Sequence, residues 1–442
     1  MGSALQAVRG PLARLTGGGM AAKSVWSICD NMVQQLLSFL VFAVLARWLT
    51  PHEFGLLTIA HLMVLFVRTA LLDAIAMPVQ REAQADAWLF NWLFTLCTVI
   101  GAGLACLMAL LAWPMAQFFK APDLVLVLLG MSLSPLLLGL TRAHEARLLR
   151  EGNFRLLAIR SLCAVSTGGA VALLLAWHGV GAMALVAQQL VTTGVALAIA
   201  LAAEWRVWRP SWVWSNERIR QYAPEVHRVG LSSLVSYANN NGDAGLVSVL
   251  LGPYATGLYN LAKRVLGAAY LMVATALSRV SLSLFIQRQG DAALMAHTYT
   301  QVLGWTLLLL APVYTIATLV AEPMVVKVFG EKWRESASLF GWLSVACITQ
   351  AAYMLGQSLS FTTKRSARVL KLSTLQLGVS VTGALFFSYR WGMVGVAAGF
   401  ALGSAIGCMA MQLAIRQQLG LSWASLARAA LPAVVGTVAT AL

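Results

Sequence analysis

Charged residues are scarce in this sequence of 442 residues, and their scarcity excludes whole classes of protein. Asp, Glu, Lys and Arg make up 11% of the chain and hydrophobic residues 59%, whereas about 25% of the residues in an average soluble protein are charged. The mean hydropathy is +0.76. So few charges cannot cover a surface that faces water, and the soluble and β-barrel classes are therefore set aside.

Motifs of catalysis and metal binding are also missing. The chain has no phosphate-binding glycine loop with a lysine, no HExxH and no GxSxG, and its six cysteines stand in apolar stretches without CxxC spacing. Residues 1–22 lack the apolar region and cleavage site of a secretory signal. We therefore expect no enzyme, no metal site and no organic cofactor, which leaves H⁺ or Na⁺ as the coupling ion to consider.

Apolar stretches of about 20 residues, the length that crosses a bilayer, recur along the whole chain. They predict helices at 24–48, 54–80, 87–113, 122–143, 154–177, 180–203, 227–251, 255–287, 297–320, 336–360, 366–389 and 391–415, with a partial thirteenth at 424–442. This pattern predicts an all-α polytopic membrane protein.

The net charge of +15 reflects orientation and does not indicate nucleic-acid binding. Lys and Arg collect in alternate loops, as the positive-inside rule describes. The poorer side receives Arg47, Lys120, Lys327, Lys332, Arg334 and Arg390. We therefore predict a cytoplasmic N-terminus.

The chain contains an internal repeat, because the segment Leu49–Ala60 matches Leu251–Ala262. Both segments follow the first helix of a six-helix set, which predicts two parallel lobes related by an axis along the membrane normal. The predicted parts are a cytoplasmic segment, two lobes, a cytoplasmic linker and a C-terminal linker with the partial helix. In chain order they are 1–23, 24–203 (N-lobe), 204–226 (linker), 227–416 (C-lobe) and 417–442.

Polar side chains recur inside the first helix of each lobe. In 24–48 one face carries Ser27, Asn31, Gln34 and Ser38, with Asp30 beside it; in 227–251 one face carries Ser232, Ser236, Asn239 and Asp243. Such groups either join helices by hydrogen bonds or line a pathway for substrate or ions. Because the two polar faces lie on repeat-related helices, we favour a cavity at the interface of the lobes. Gln350, Tyr353 and Gln357 form a further polar face with the same two interpretations.

Three cations lie inside predicted membrane helices. Arg68 is roughly 21 Å along the second helix, where an arginine costs about 2.5–3.5 kcal/mol to insert. Two interpretations of Arg68 remain open, an ion pair with Asp73 or Asp30 and contact with an anionic ligand. Lys263 and Arg264 have no acid close in sequence, which favours contact with substrate.

Four motifs follow one another along most of the chain: Leu45–Leu56, Leu148–Arg155, Leu251–Ala262 and Val328–Trp333. Their order and spacing resemble the bacterial polysaccharide-lipid flippase family (Wzx type, colanic-acid-exporter-like branch) of the multidrug/oligosaccharidyl-lipid/polysaccharide exporter superfamily. The sequence departs from the family in having Ile75 two residues after Asp73, where a glycine is common. It also ends before the last helix of close relatives.

The resemblance implies two six-helix lobes around a cationic cavity in the bacterial inner membrane. It implies alternating access that moves undecaprenyl-diphosphate-linked oligosaccharides to the periplasmic leaflet for exopolysaccharide, O-antigen or capsule synthesis. Membrane lipid and a polysaccharide polymerase or export machinery are the partners to expect. The alternatives are a multidrug cation antiporter of the same superfamily and, less favoured, a membrane glycan polymerase or ligase.

Three sets of residues are predicted to form the site. The diphosphate would be held by Arg68, Lys263 and Arg264. Sugar or water would be contacted by Asn31, Gln34, Asn239, Asn240, Gln350 and Gln357. A coupling cation would be bound by Asp243, Asp30 or Asp73.

Overall fold

A computed structural model of the chain describes residues 20–82, 86–205, 207–288, 291–363 and 365–441. Side chains are described within these ranges except at 20–32, 271–280, 282–283, 292, 430, 434–435, 438–439 and 441.

The described part of the chain is helical throughout, apart from short connections. The helices are α1 (Met20–Trp48), α2 (Pro51–Arg81), α3 (Ala87–Phe118), α4 (Leu124–Glu151), α5 (Phe154–Trp177), α6 (Ala182–Glu204), α7 (216–251), α8 (253–287), α9 (Ala292–Leu319), α10 (Ala321–Phe329), α11 (Phe340–Thr362), α12 (366–391), α13 (393–419) and α14 (Trp423–Ala441). A 3₁₀ segment, Glu331–Leu339, precedes α11. α7 begins at Asn216, inside the predicted linker 204–226.

Local chemistry explains where several helices begin and end. At the start of α2, Thr50 and Glu53 form a capping box, in which the backbone N–H of Thr50 donates to Glu53 Oε2 (2.7 Å), and Pro51 takes the first helical position. α7 is separated from α8 at Gly252 (φ 79°), and α12 from α13 at Gly392 (φ 52°). Both glycines adopt the positive φ that L-residues avoid.

The membrane-protein fold class is confirmed. Eight stretches of the described residues are long and apolar enough to cross a membrane, and one of them, Ser366–Leu419, contains two helices. The count of twelve helices and a partial thirteenth agrees with the described helices, α10 being too short to span. The lobe boundaries at 203 and 227 stay a prediction.

The contacts within the chain divide it into two compact units, each discontinuous in sequence. Unit 1 comprises Met1–Phe42, Val67–Ala112 and Leu128–Val229, and unit 2 comprises Ala43–Phe66, Trp113–Val127 and Gly230–Leu442.

The core of unit 1 includes the segment that follows α6. Trp208 and Tyr222 are buried in the same cluster as Leu72 of α2, Trp92 of α3 and Ala146 of α4. Burial of Tyr222 raises the pKa of its hydroxyl, and a hydrogen bond to the Glu82 side chain raises it further. This segment is therefore packed onto the helices of unit 1.

Hydrogen bonds to α3 hold this segment in place. Asn91 Oδ1 accepts from Trp208 Nε1 (2.9 Å) and from the backbone N–H of Ser211 (3.2 Å). Thr95 Oγ1 accepts from the backbone N–H of Val213 (2.9 Å).

In unit 2, the two copies of the sequence repeat pack directly against each other. The Cα of Gly55 lies so close to Pro253 that a Cβ would overlap the proline carbonyl oxygen, and Gly257 meets Pro51 in the same way. The contact is therefore reciprocal between equivalent positions. We call this contact, together with the hydrogen bonds described next, the repeat seam.

Equivalent residues also bond to each other across the repeat seam. Asn260 Nδ2 donates to Thr58 Oγ1 (2.8 Å), and these residues occupy the same place in the two repeats. Beside them, the fully buried Trp333 donates from Nε1 to the carbonyl of Ala46 (2.8 Å), and the ring of Phe54 contacts it edge-on. Glycines at the closest approach let the two helix backbones come within hydrogen-bonding distance of each other's side chains.

Candidate functional site

On the predicted polar face of α7, Asp243 is buried and the other residues are exposed or half-buried. Ser232, Ser236 and Asn240 are exposed and Asn239 is half-buried, whereas Asp243 retains 6% of its accessible surface. A buried carboxylate requires hydrogen-bond donors or a cation as partners. Asp243 is therefore the residue from which the site is built.

The carboxylate of Asp243 is fully partnered. Lys263 Nζ lies 2.6 Å from Oδ1, and the backbone N–H of Ala244 donates to the same oxygen (2.8 Å). The hydroxyl of Tyr259 donates to Oδ2 (3.0 Å). Charge-assisted bonds of this kind are about twice as strong as neutral ones, so the carboxylate and the ammonium neutralise each other at this position.

Lys263 bonds Asp243 and also lines a cavity. Its Nζ also donates to the carbonyl of Asn240 (2.5 Å), and its side chain is 31% exposed. An ammonium has three donors, so one of them remains for another group. No acid lies close to Lys263 in sequence, but the packing of α7 against α8 brings Asp243 beside it.

The cavity next to Lys263 has a volume of about 160 Å³. Its polar lining comes from five helices of unit 2: Asn239, Asn240, Asp243, Lys263, Tyr270, Gln350, Gln376 and Ser404. Gln376 Nε2 of α12 donates to Gln350 Oε1 of α11 (3.0 Å). At roughly 30 Å³ per water, the space holds about five waters, which suits a phosphate or a sugar hydroxyl rather than a whole oligosaccharide.

The asparagine amides partly serve the helices themselves. Asn239 Nδ2 donates to the carbonyls of Val235 in its own helix and Ser373 in α12, both at 3.0 Å. Asn240 Nδ2 donates to the carbonyl of Ser236 (2.8 Å). The amide nitrogen of Asn239 therefore joins α7 to α12, whereas its Oδ1 is buried beside the cavity without a partner.

The other predicted residues of the polar and cationic sets lie apart from this cavity or outside the described side chains. Arg264 follows Lys263 in α8 and is exposed, and Gln357 of α11 and Gln34 of α1 are half-buried; none of the three lines the cavity. The side chains of Asp30 and Asn31 lie outside the part of the chain that the structure describes.

Unit 1 contains a separate network of charges around Asp73. Asp73 forms an ion pair with Arg142 of α4, whose Nη1 also bonds Glu145 (2.7 Å), and Arg160 of α5 bonds Glu145 (3.2 Å). Arg68 acts electrostatically on Arg142 and Glu145. Asp73 is thus paired with Arg142. The other two interpretations of Arg68, an ion pair with Asp30 and contact with an anionic ligand, stay predictions, because the side chain of Asp30 lies outside the described residues.

Arg68 has an unusual backbone position that the sequence did not indicate. It opens a single π-helical turn, Arg68–Leu72, inside α2, and its side chain is exposed. Such turns are rare and frequently occur at functional sites.

Sequence reasoning missed two contributors to the site: Tyr259, which bonds Asp243, and Gln376, which lines the cavity. A signal existed for Gln376, because Ser373, Gln376 and Ser380 recur at helical spacing in an apolar stretch. Tyr259 lies one turn before Lys263 on the same face of α8, but its partner could not be inferred without the packing of α7. Within the described residues, no group of three His, Cys, Asp or Glu side chains could hold a metal ion.

Comparisons with known proteins connect this architecture to polysaccharide synthesis. Residues 44–338 match the family described as "Polysaccharide biosynthesis protein". The chain is 27% identical over 342 residues to the succinoglycan biosynthesis transport protein ExoT of Rhizobium meliloti (strain 1021), covering 75% of this chain and 68% of that protein. It is 22% identical over 384 residues to the lipopolysaccharide biosynthesis protein WzxC of Escherichia coli (strain K12), covering 85% and 77%.

Solved structures share the fold. The lipid II flippase MurJ in an inward closed conformation superposes with a TM-score of 0.77 at 12% identity, over 94% of this chain and 92% of that one. An inward-facing multidrug resistance transporter of the MATE family, in the MOP superfamily, gives 0.64 at 16% identity, over 92% and 97%. At these identities the structures establish the fold alone. The family match spans more than half of the sequence, and the chain therefore belongs to the polysaccharide biosynthesis protein family.

Proposed function

We propose that this chain moves undecaprenyl-diphosphate-linked oligosaccharides across the bacterial inner membrane without changing the covalent structure of the glycan. Relatives named as a succinoglycan transport protein and as a lipopolysaccharide biosynthesis protein support this substrate class. The excess of Lys and Arg in alternate loops supports an orientation with the N-terminus in the cytoplasm.

The observation that carries the proposal is a lysine beside amide groups in the cavity of unit 2. Lys263 lies roughly 16 Å along α8 from Gly252, about half of a 30 Å hydrocarbon core. Its third donor is available to a phosphate oxygen, while Gln350 and Gln376 offer amides to sugar hydroxyls. An ammonium at this depth in an apolar chain is costly unless it serves a ligand or a partner.

The remaining site residues are assigned by the same chemistry. Arg68 and Arg264 are the other candidates for binding the diphosphate, because guanidinium forks match phosphate oxygens. Asn240, Gln350, Gln34, Gln357 and Asn31 would contact sugar or water, with Asn239 bracing α7 on α12. Asp243 would couple transport to a cation. Asp30 and Asp73 are the other candidates for that role, and Asp73, like Asp243, is paired with a cation, Arg142.

The two alternatives fit the geometry less well. A transporter of cationic drugs needs an acidic cavity, but the carboxylate in this cavity, Asp243, is already neutralised by Lys263. A polymerase or ligase needs a long loop for its catalytic groups. The longest connection on the side of Pro51 and Gly252 is 320–339, and it is occupied by α10 and the 3₁₀ segment.

The proposal is tested in proteoliposomes that contain an undecaprenyl-diphosphate oligosaccharide with a fluorescent sugar. A membrane-impermeant reductant bleaches the outer leaflet, so the decay of the protected signal measures flipping. We expect Lys263→Gln to slow the wild-type rate at least tenfold and Lys263→Arg, which keeps the charge, to retain most of it. Lys371→Gln is the matched control, since Lys371 is an exposed lysine of α12.

Each part of the proposal has its own contrary result. Wild-type protein that flips no faster than empty liposomes would overturn the function, and a glycan of altered mass would support the enzyme alternative. Wild-type rates in Lys263→Gln would overturn the cationic site. In cells, full glycan export by an Arg68→Ala/Arg264→Ala double variant at normal protein level would remove those two arginines from it.

A further inference from the structure

The single ammonium of Lys263 bonds the carboxylate of Asp243 and would also have to bond a diphosphate. Two of the three donors of Lys263 are taken, by Asp243 Oδ1 (2.6 Å) and by the carbonyl of Asn240 (2.5 Å). A diphosphate presents several anionic oxygens and competes for the same donors. Full engagement of the ligand therefore draws the ammonium away from the carboxylate.

A carboxylate left behind in that position is strongly disfavoured. Asp243 is 6% exposed, and its remaining partners are the hydroxyl of Tyr259 and the N–H of Ala244, neither of which carries charge. Removing one member of a buried ion pair leaves the other uncompensated, which costs far more than the net value of the pair. A buried acid in this situation takes up a proton.

Among the described residues that line the cavity beside Asp243, Lys263 is the one cation. α8 contributes Tyr259 and Lys263, and α11 contributes the half-buried Cys347. The other polar groups of the cavity lining are uncharged: Asn239, Asn240, Tyr270, Gln350, Gln376 and Ser404. The charge lost when Lys263 leaves must therefore come from solution.

We propose that binding of the lipid-linked diphosphate to Lys263 is coupled to protonation of Asp243. The ammonium breaks its hydrogen bond to the carboxylate and donates to a phosphate oxygen, and a hydronium ion of the solution gives one proton to Asp243, which forms an O–H bond and leaves a water molecule. Charge is conserved at the acid, because the proton replaces the ammonium as its positive partner. This inference rests on the proposed function and names H⁺ as the coupling ion.

The surroundings of the carboxylate favour H⁺ over Na⁺. Both oxygens accept bonds, from Tyr259 and from Ala244, that a protonated carboxyl can keep through its remaining lone pairs. A hard metal cation instead needs several oxygen ligands directed at it, whereas the hydroxyl and the N–H direct hydrogens at the carboxylate.

The experiment measures protons taken up per ligand bound. Full-length protein in nanodiscs is titrated with farnesyl diphosphate in a calorimeter, in two buffers of different ionisation enthalpy at a pH above the last ionisation of the ligand. The difference in heat gives the proton number. We expect close to one proton per ligand for wild type, with equal affinity in sodium chloride and in choline chloride.

Variants assign the proton to its residue. Asp243→Asn removes the titrating group and releases Lys263, so we expect no proton uptake and an affinity at least equal to that of wild type. Tyr259→Phe is the matched control, because it removes a neutral partner of the same carboxylate and should keep the uptake. Lys263→Gln should weaken binding at least tenfold.

The possible results distinguish the proposed protonation of Asp243 from the proposed transport function. Binding by wild type without proton uptake, unchanged uptake in Asp243→Asn, or binding that requires Na⁺ would overturn the exchange and leave the proposed function standing. Failure of wild type to bind the diphosphate would overturn both. The wild-type proton number and its sodium dependence decide the matter even if Asp243→Asn does not fold.

Discussion

The close approach at the repeat seam can be tested by adding a single methyl group. In Gly55→Ala, the new Cβ would overlap the carbonyl of Pro253, and Gly257→Ala would do the same at Pro51. A backbone carbonyl held by a proline cannot rotate away. The two helices must therefore separate, which also stretches the bond between Asn260 and Thr58.

Two effects of opposite sign set the magnitude. Alanine favours a helix over glycine by about 1 kcal/mol, whereas inserting atoms into a packed interior costs about 1–3 kcal/mol, occasionally more. At Gly55 the overlap involves backbone atoms, so the cost lies at or above the upper end of that range. We expect a net loss of about 2 kcal/mol or more in the free energy of unfolding.

The matched control is Gly245→Ala in α7 of the same unit. A Cβ at Gly245 meets no atom within 4 Å, so helix propensity acts alone and we expect a gain of about 0.5–1 kcal/mol. Both free energies are measured by reversible unfolding in mixed detergent micelles. If Gly55→Ala stabilises the protein as Gly245→Ala does, the two repeats do not meet in the way described here.

Three further predictions use the same unfolding measurement or limited proteolysis. Trp333→Phe removes the donor that satisfies the carbonyl of Ala46 and should cost about 1–3 kcal/mol; a neutral result would contradict that bond. Arg142→Gln leaves Asp73 without its cation and Glu145 with Arg160 alone, and it should cost about 3–5 kcal/mol. Arg334→Gln should cost under about 1 kcal/mol, because the side chain of Arg334 is 56% exposed and that of Arg142 only 8%. Equal losses in the two variants would refute this difference between a buried and an exposed ion pair. Asn91→Ala frees the segment after α6 and should speed its cleavage by trypsin, while Asn91→Asp, which still accepts both bonds, should not.

The helices were predictable because membrane insertion leaves a simple signal. A run of apolar residues long enough to cross the bilayer must be helical, since no water satisfies its backbone, and α1 and α5 begin and end within a few residues of their predicted bounds. The segment before α11 was less predictable. Glu331–Leu339 forms a 3₁₀ turn that places Trp333 at Ala46, and that partner lies far away in sequence.

The sequence contains a signal for the pairing of Asp243 with Lys263. Asp243 lies nine residues before Gly252 and Lys263 eleven residues after it. Residues at similar distances from a tight turn between antiparallel helices lie at similar depth, so the pair could have been anticipated. The partner of Asp73 could not, because Arg142 comes from α4 and its approach depends on how α2 and α4 pack.

In the internal repeat, the second copy carries the carboxylate of Asp243 and the equivalent position of the first copy carries none. Counting back from the matched segments, the first-half equivalents of Asp243 and Lys263 are Val41 and His61. Val41 is buried and packs against Gly169, so this position in the first half serves packing. If one proton replaces one ammonium in each cycle, as proposed above, a second carboxylate would add another buried charge to satisfy and no further exchange. The duplication therefore supplies two related scaffolds, and the charge pair that distinguishes them lies in the second, where Lys263 meets the cavity.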